Sequence, residues 1–138
     1  MHLTLLFIQK TRNKAAIDWI RLYERKIRTF LSIEIVEPKA IPAAHIQDDP
    51  NTFILHDTGK PYTSAAFADW IASHIHRSGQ NRLTLCCGGP DGFPNMSLPK
   101  DRLLSLSPMT FSHELSRVML CEQLYRALCL IHRHPYPK

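Results

Sequence analysis

Apolar residues along the 138-residue chain fall into short unbroken runs separated by stretches with helical spacing. Leu3 to Ile8 is a run of buried-strand length. From Lys14 to about Phe30, Ile17, Ile20, Tyr23, Ile27 and Phe30 recur among arginines and glutamates, which predicts an amphipathic helix. Ser32 to Glu37 is rich in β-branched residues and closed by Pro38, the mark of a second strand. Residues 38–51 carry Pro38, Pro42 and Pro50 without any period, so they read as a loop with no helix. Thr52 to His56 predicts a third strand, with a loop at 56–62 after it. Thr63 or Ser64 is placed to cap the next helix, with Phe67, Trp70, Ile71 and Ile75 on its inner face and Gly79 past its end. Arg82 to Cys87 predicts a fourth strand and Leu103 to Ser107 a short fifth. Ser112 opens the longest helix, with Leu115, Val118, Met119, Tyr125, Leu128 and Cys129 inward and a Glu122–Arg126 pair one turn apart. Leu120, Leu124 and Leu130 lie beside that face, so this helix calls for cover on most sides. The prolines at 135 and 137 make residues 133–138 a non-helical tail. Alternating strands and helices predict one α/β domain over 1–138, a largely parallel sheet flanked by helices.

Composition narrows the class without naming a function. Hydrophobic residues are 44% and charged residues 21%, which excludes a disordered chain. A net charge of +5 is compatible with a polyanionic partner but does not establish one. No apolar run reaches the roughly 18 residues of a membrane span, and the opening run is too short for a signal peptide. The expectation is a cytoplasmic protein, away from membranes, whose Cys86, Cys87, Cys121 and Cys129 are reduced, buried thiols. No cysteine or histidine spacing suits a metal site, and adjacent Cys86 and Cys87 point to opposite faces of a strand.

In an open α/β sheet, ligands bind beyond the carboxyl ends of the strands, where the loops 56–62, 88–93 and 107–111 are expected. Gly88-Gly89 directly after a strand lets a backbone approach a ligand, or forms an ordinary turn. Neither a dinucleotide fingerprint nor a P-loop is present. Ser105 to Phe111 reads as a rigid turn whose free backbone groups could grip a purine edge, or as simple capping by Ser107, Thr110 and Ser112. His74 and His76, two apart on a helix, diverge and are both expected at solvent. His132 and His134 flank a helix end, where imidazolium suits the dipole. Arg133, His134, Tyr136 and Lys138 offer charge and one aromatic plane to RNA, or form a mobile basic tail. No Ser/His/Asp set, carboxylate pair or metal cluster emerges.

Four ordered motifs carry more. They are Gly-Gly-Pro-Asp-Gly-Phe from Gly88, Leu-Ser-Leu-Ser-Pro-Met-Thr-Phe-Ser-His from Leu104, Arg-Val-Met-Leu-Cys-Glu-Gln-Leu-Tyr-Arg-Ala from Arg117, and His-Pro-Tyr at His134. Together they resemble the ribosomal RNA large subunit methyltransferase H family of the SPOUT class, strongly from Leu55 to Tyr136 and more weakly before that. The resemblance implies a SPOUT-type α/β fold with a deep C-terminal trefoil knot, a rare exception to unknotted topology. It implies S-adenosyl-L-methionine held by Leu55, Gly88, Leu106, Ser107, Pro108, Met109, Thr110 and Phe111. It implies a homodimer in which the partner's tail completes the active site. His134, Tyr136 and Asp91 would then serve catalysis, and Arg133 and Lys138 would hold RNA. The implied reaction is methylation at N3 of a pseudouridine of 23S ribosomal RNA on the assembled ribosome.

The chain departs from that family at three places. His56 stands where the family usually has Asp, Pro137 stands where it has a last His, and a helix between the second and third strands is expected to be missing. A catalytically weakened RNA-binding homologue of the same fold is the alternative reading.

Overall fold

The computed structural model describes residues 1–136 except positions 42, 78 and 80, with the backbone alone at 43 and 45. Positions 137 and 138 lie outside the described residues, and with them Lys138 as an RNA contact and the Pro137 departure. Five parallel strands run in the order β2-β1-β4-β3-β5. They are β1 (His2–Phe7), β2 (Ser32–Val36), β3 (Thr52–Pro61), β4 (Arg82–Cys87) and β5 (Leu103–Ser105). Their carboxyl ends share one edge, as the parallel pairing demands.

The two faces of the sheet are covered unequally. Leu3, Leu5, Phe7, Leu83, Leu85 and Cys87 point to one core beneath α1 (Lys14–Arg28), α3 (Ser64–Ile75) and α4 (His113–Ile131). Leu6, Ile54 and Cys86 face a smaller core under α2 (Ala43–Asp48) and the 93–98 segment. Cys86 and Cys87 therefore divide between the faces, and all four cysteines are buried free thiols. Burial pushes Cys86 and Cys121 up to about 12, so these thiols stay protonated and inert.

Local chemistry fixes the helix starts. The side chains of Asn13, Thr63 and Ser112 accept hydrogen bonds from the N–H groups of Ala16, Ala66 and Leu115, satisfying donors that a helix N-terminus leaves open. In α1, Ile20, Tyr23 and Ile27 turn inward, as their spacing predicts. At the far end of α4, Arg133 adopts φ 55°. The N–H groups of Arg133 and His134 bond to the carbonyls of Leu130 and Cys129. That is a Schellman cap built without glycine, and it sets the direction in which the tail leaves.

Four expectations are corrected. Residues 38–51 do contain a helix: none of the three prolines falls inside Ala43–Asp48, and that turn seats Ile46 at 0% exposure. The 56–62 segment is not a plain loop, because β3 pairs with Leu104 both at Leu55 and again at Lys60, so residues 56–59 bulge out of a continuing strand. His74 is buried while His76 is exposed. The two diverge as helical geometry requires, but the inward ring fills a slot edge-on to Phe53 and Trp70. The inward face of α4 holds at Tyr125, Leu128 and Cys129 but not at its start: Leu115 is about half exposed, as is Leu130, whereas Leu120 and Leu124 are core residues. The helix packs on α1 and α3 as well as the sheet, so one stripe does not describe its buried surface.

Candidate functional site

The three loops at the carboxyl edge enclose a cleft of about 640 Å³, within the size range of small-molecule sites. Its first wall comes from β4 and the turn that follows. Gly89 and Gly92 exchange two backbone hydrogen bonds of 3.2 and 3.0 Å, closing a tight turn around Pro90 and Asp91, and Gly92 sits at φ 67°. A Cβ on Gly88 would lie 2.9 Å from the Gly92 carbonyl oxygen, so the glycine is demanded first by the turn itself. Gly88 also lines the cleft. The ordinary turn is therefore present, and it stands at the cleft wall.

The second wall is the turn from β5 to α4. The Ser105 hydroxyl donates to the Ser107 carbonyl at 2.7 Å and accepts from its N–H, and the Ser107 hydroxyl accepts from the Met109 N–H at 3.0 Å. These local bonds stiffen the segment before any ligand arrives, and Ser112 caps α4. The third wall is the β3 bulge, which contributes Leu55, His56 and Asp57. Thr110 donates its hydroxyl to Asp57 Oδ2 at 2.9 Å, tying the bulge to the β5–α4 turn across the cleft. The His56 imidazole Nδ1 lies 2.8 Å from the Thr58 hydroxyl and 3.2 Å from Asp57 Oδ1.

Of the residues picked from sequence, Leu55, Gly88, Leu106, Ser107, Met109, Thr110 and Phe111 line this cleft together. Pro108 is exposed beside it and outside its lining. Asp91 is exposed at the tip of the Gly89–Gly92 turn and does not line it either. His113, at the first turn of α4, does, as do Phe93 and Met96. Periodicity held no signal for Phe93 and Met96, since they depend on how the 88–99 segment folds back.

The tail lies elsewhere. Tyr136 donates its hydroxyl to Glu122 Oε2 at 3.0 Å, stands 3.4 Å from the Tyr23 hydroxyl, and has the Arg126 guanidinium 4.6 Å over its ring. Glu122 and Arg126 form the predicted pair at 2.8 Å. Burial, with hydrogen bonds to Tyr23 and Glu122, holds the Tyr136 phenol far above its ordinary value, so it is a neutral donor rather than a base. His134 and Arg133 are exposed, with the His134 ring edge-on to Phe30. Neither His134 nor Tyr136 lines the cleft of its own chain.

Beside Tyr136 runs a second, apolar groove of about 320 Å³ between α1, α3 and α4, lined by Trp19, Tyr23, Phe67, Val118, Met119 and Glu122 among others. Leu106 lines both the groove and the cleft. No described helix is long and apolar enough to cross a membrane.

Comparison with known proteins agrees with this geometry. A family model described as a predicted SPOUT methyltransferase matches residues 1–137. Several proteins named ribosomal RNA large subunit methyltransferase H align over nearly their whole length. The one from Pelobacter propionicus is 31% identical, covering 99% of this chain and 99% of its own. Those from Phocaeicola vulgatus and Protochlamydia amoebophila are each 32% identical, covering 99% and 100% of this chain and 98% and 99% of their own. The crystal structure of TrmJ from Z. mobilis ZM4 matches the whole chain and 72% of that protein, with a TM-score of 0.51 and 11% identity, a likeness of fold alone.

Proposed function

Because the chain belongs to the SPOUT methyltransferase family, we propose that it transfers a methyl group from S-adenosyl-L-methionine to large-subunit ribosomal RNA. The target in this reading is N3 of a pseudouridine, reached on the ribosome in the cytoplasm. One observation carries the proposal: residues from three loops, separate in sequence, converge on one cleft at the carboxyl edge of a parallel sheet. The donor set fits the cofactor. Gly88 leaves the β4 wall free of a side chain, Leu55, Leu106 and Phe111 offer apolar flanks, and the 106–111 turn presents backbone groups locked by serine hydroxyls. The cofactor, when bound, supplies an electrophilic methyl group. The chain orients it, excludes water with its apolar flanks and keeps the two walls in register through Thr110 and Asp57. Proton removal from a weakly acidic N–H falls to the cleft's own polar groups, among which His113 and His56 stand and Asp91 does not.

The same reading includes a homodimer and a knotted C-terminal half. The groove along α1, α3 and α4, with Trp19 49% exposed at its edge, is the apolar surface a second copy would cover. Tyr136 and Glu122 at its rim bring the tail beside that surface, which supports Tyr136, His134 and Arg133 acting in the partner's cleft.

Transfer of labelled methyl from S-adenosyl-L-methionine to ribosomes lacking the modification tests the function. Label confined to large-subunit RNA is expected. Binding of ribosomes without transfer would instead favour the weakened RNA-binding homologue, a reading that His56 in the cleft keeps in play. Mixing tail-truncated subunits with subunits disabled in the cleft tests the trans arrangement, since heterodimers should recover activity.

A further inference from the structure

The motif that begins at Arg117 is not used by the cleft lining, yet Arg117 is the largest fully buried side chain, at 0% exposure. Its partners are unusual for a buried cation. One terminal nitrogen donates to the Gln9 carbonyl at 3.0 Å and the Thr11 hydroxyl at 2.9 Å. The other donates to the carbonyls of Ile8 and Gly88. The guanidinium also stacks 5.0 Å over Phe7. The Glu37 carboxylate pairs with it only at 3.9 Å, and its Nε has no acceptor among the described residues. A buried charge is costly even beside one loosely placed carboxylate, and apolar packing would often serve stability better. The pattern of acceptors suggests what the cost secures. They belong to two loops, the one leaving β1 and the one leaving β4, and they meet at Gly88. Gly89 leans on the same place, since a Cβ there would lie 3.0 Å from the Ile8 carbonyl oxygen. Glu114, one turn earlier on α4, takes the Arg12 and Asn13 N–H groups at 3.1 and 2.8 Å. The first turns of α4 thus hold the β1 loop from below.

We infer that Arg117 is a positioning residue that fixes the Gly88 wall of the cleft by clamping the loops after β1 and β4 to α4. This rests on the cofactor reading above. A five-donor planar fork can serve four acceptors in different directions, whereas a lysine ammonium on a shorter reach cannot. Arg117→Lys therefore keeps the charge and releases part of the clamp.

The test is calorimetric titration of S-adenosyl-L-methionine into wild type, Arg117→Lys, Arg117→Met and a core control, Leu124→Ala. Arg117→Lys should bind at least about tenfold more weakly, and methyl transfer should show a raised KM for the cofactor with kcat nearly kept at saturation. Leu124→Ala should melt lower yet bind as wild type does. Hydrogen exchange should show faster opening at 8–12 and 88–92, with β1 and β4 unchanged. Wild-type affinity in a folded Arg117 variant overturns the inference, as does failure of both Arg117 variants to fold, which would make the residue a folding determinant. No binding by wild type would overturn the cofactor reading itself.

Discussion

Replacing Gly59 by alanine puts the β3 bulge and the cleft under the same strain. The bulge returns to β5 so closely that a Cβ at Gly59 would lie 2.7 Å from the Leu103 carbonyl carbon and the Leu104 nitrogen, and 2.8 Å from the Leu104 carbonyl carbon. All three atoms are backbone, so no side chain can swing aside. Ordinary contact starts near 3.4 Å, and the added methyl is about 0.7 Å short of it. The strand pairing on either side of the bulge, at Leu55 and at Lys60, fixes both of its ends to Leu104. Relief must come from moving the bulge or β5. Overpacking of this kind costs about 1–3 kcal/mol, or roughly 4–12 °C in melting temperature for a chain of this size. The same displacement carries His56 and Asp57 away from Leu106 and Ser107, so cofactor affinity should fall roughly tenfold by the sensitivity of bound geometry to sub-ångström shifts. Thermal melts and calorimetric titration on one preparation measure both. Gly79→Ala is the control: it has nothing within 4 Å but a φ of 78°, so it should cost about 1 kcal/mol of strain and leave affinity alone. A Gly59→Ala protein that melts within about 2 °C of wild type and binds equally well would refute the reasoning.

Further outcomes follow from the site and the core. Thr110→Val removes the hydroxyl that donates to Asp57 at 2.9 Å and should weaken cofactor binding about 3- to 10-fold, the worth of one hydrogen bond, with the melting temperature nearly unchanged. Arg133→Gly relieves a left-handed residue at φ 55°, so the protein should melt at or above wild type, while methyl transfer to ribosomes falls if Arg133 holds RNA; equal transfer would remove it from that role. His74 has its pKa lowered below the ordinary 6.5 by burial and by the charge of Arg77. Its neutral form is the folded one, so its stabilising share is full above 6.5 and fades as pH falls through the lower folded value. The drop in melting temperature between pH 7.5 and 5 should accordingly be smaller in His74→Phe than in wild type.

Much of the fold was legible because the strands of this parallel sheet carry short β-branched or apolar runs and its helices are capped by recognisable residues. Arg82–Cys87 was read to the residue, since its run from Leu83 is broken only by β-prone Thr84 and ends at glycines. The cleft wall formed by Leu106, Ser107, Met109, Thr110 and Phe111 was legible for a different reason, the ordered motifs, and not through periodicity. The bulge at 56–59 was not legible. A strand that leaves its partner and rejoins it at the same residue carries no period of its own, and Gly59 looks like any turn glycine until Leu103 and Leu104 are placed against it.

The misplaced start of the inward face of α4 bears on function. Apolar spacing alone carries no signal for Arg117, because a charged residue is assigned to solvent by default. The face then begins at Leu115 on paper, with Leu120 and Leu124 set beside it. In the folded chain Arg117 heads the buried face, with Leu120, Cys121, Leu124 and Leu128 following it toward the C-terminus. The residue that defeats the pattern is also the one that touches the Gly88 carbonyl. Sites where local rules fail inside a consistent fold are where function is expected to have been placed. A position chosen for core packing alone would have been apolar, and the remaining sequence of α4 supplies apolar residues freely. An arginine there is accounted for by what its donors hold, the loops after β1 and β4 that meet at Gly88.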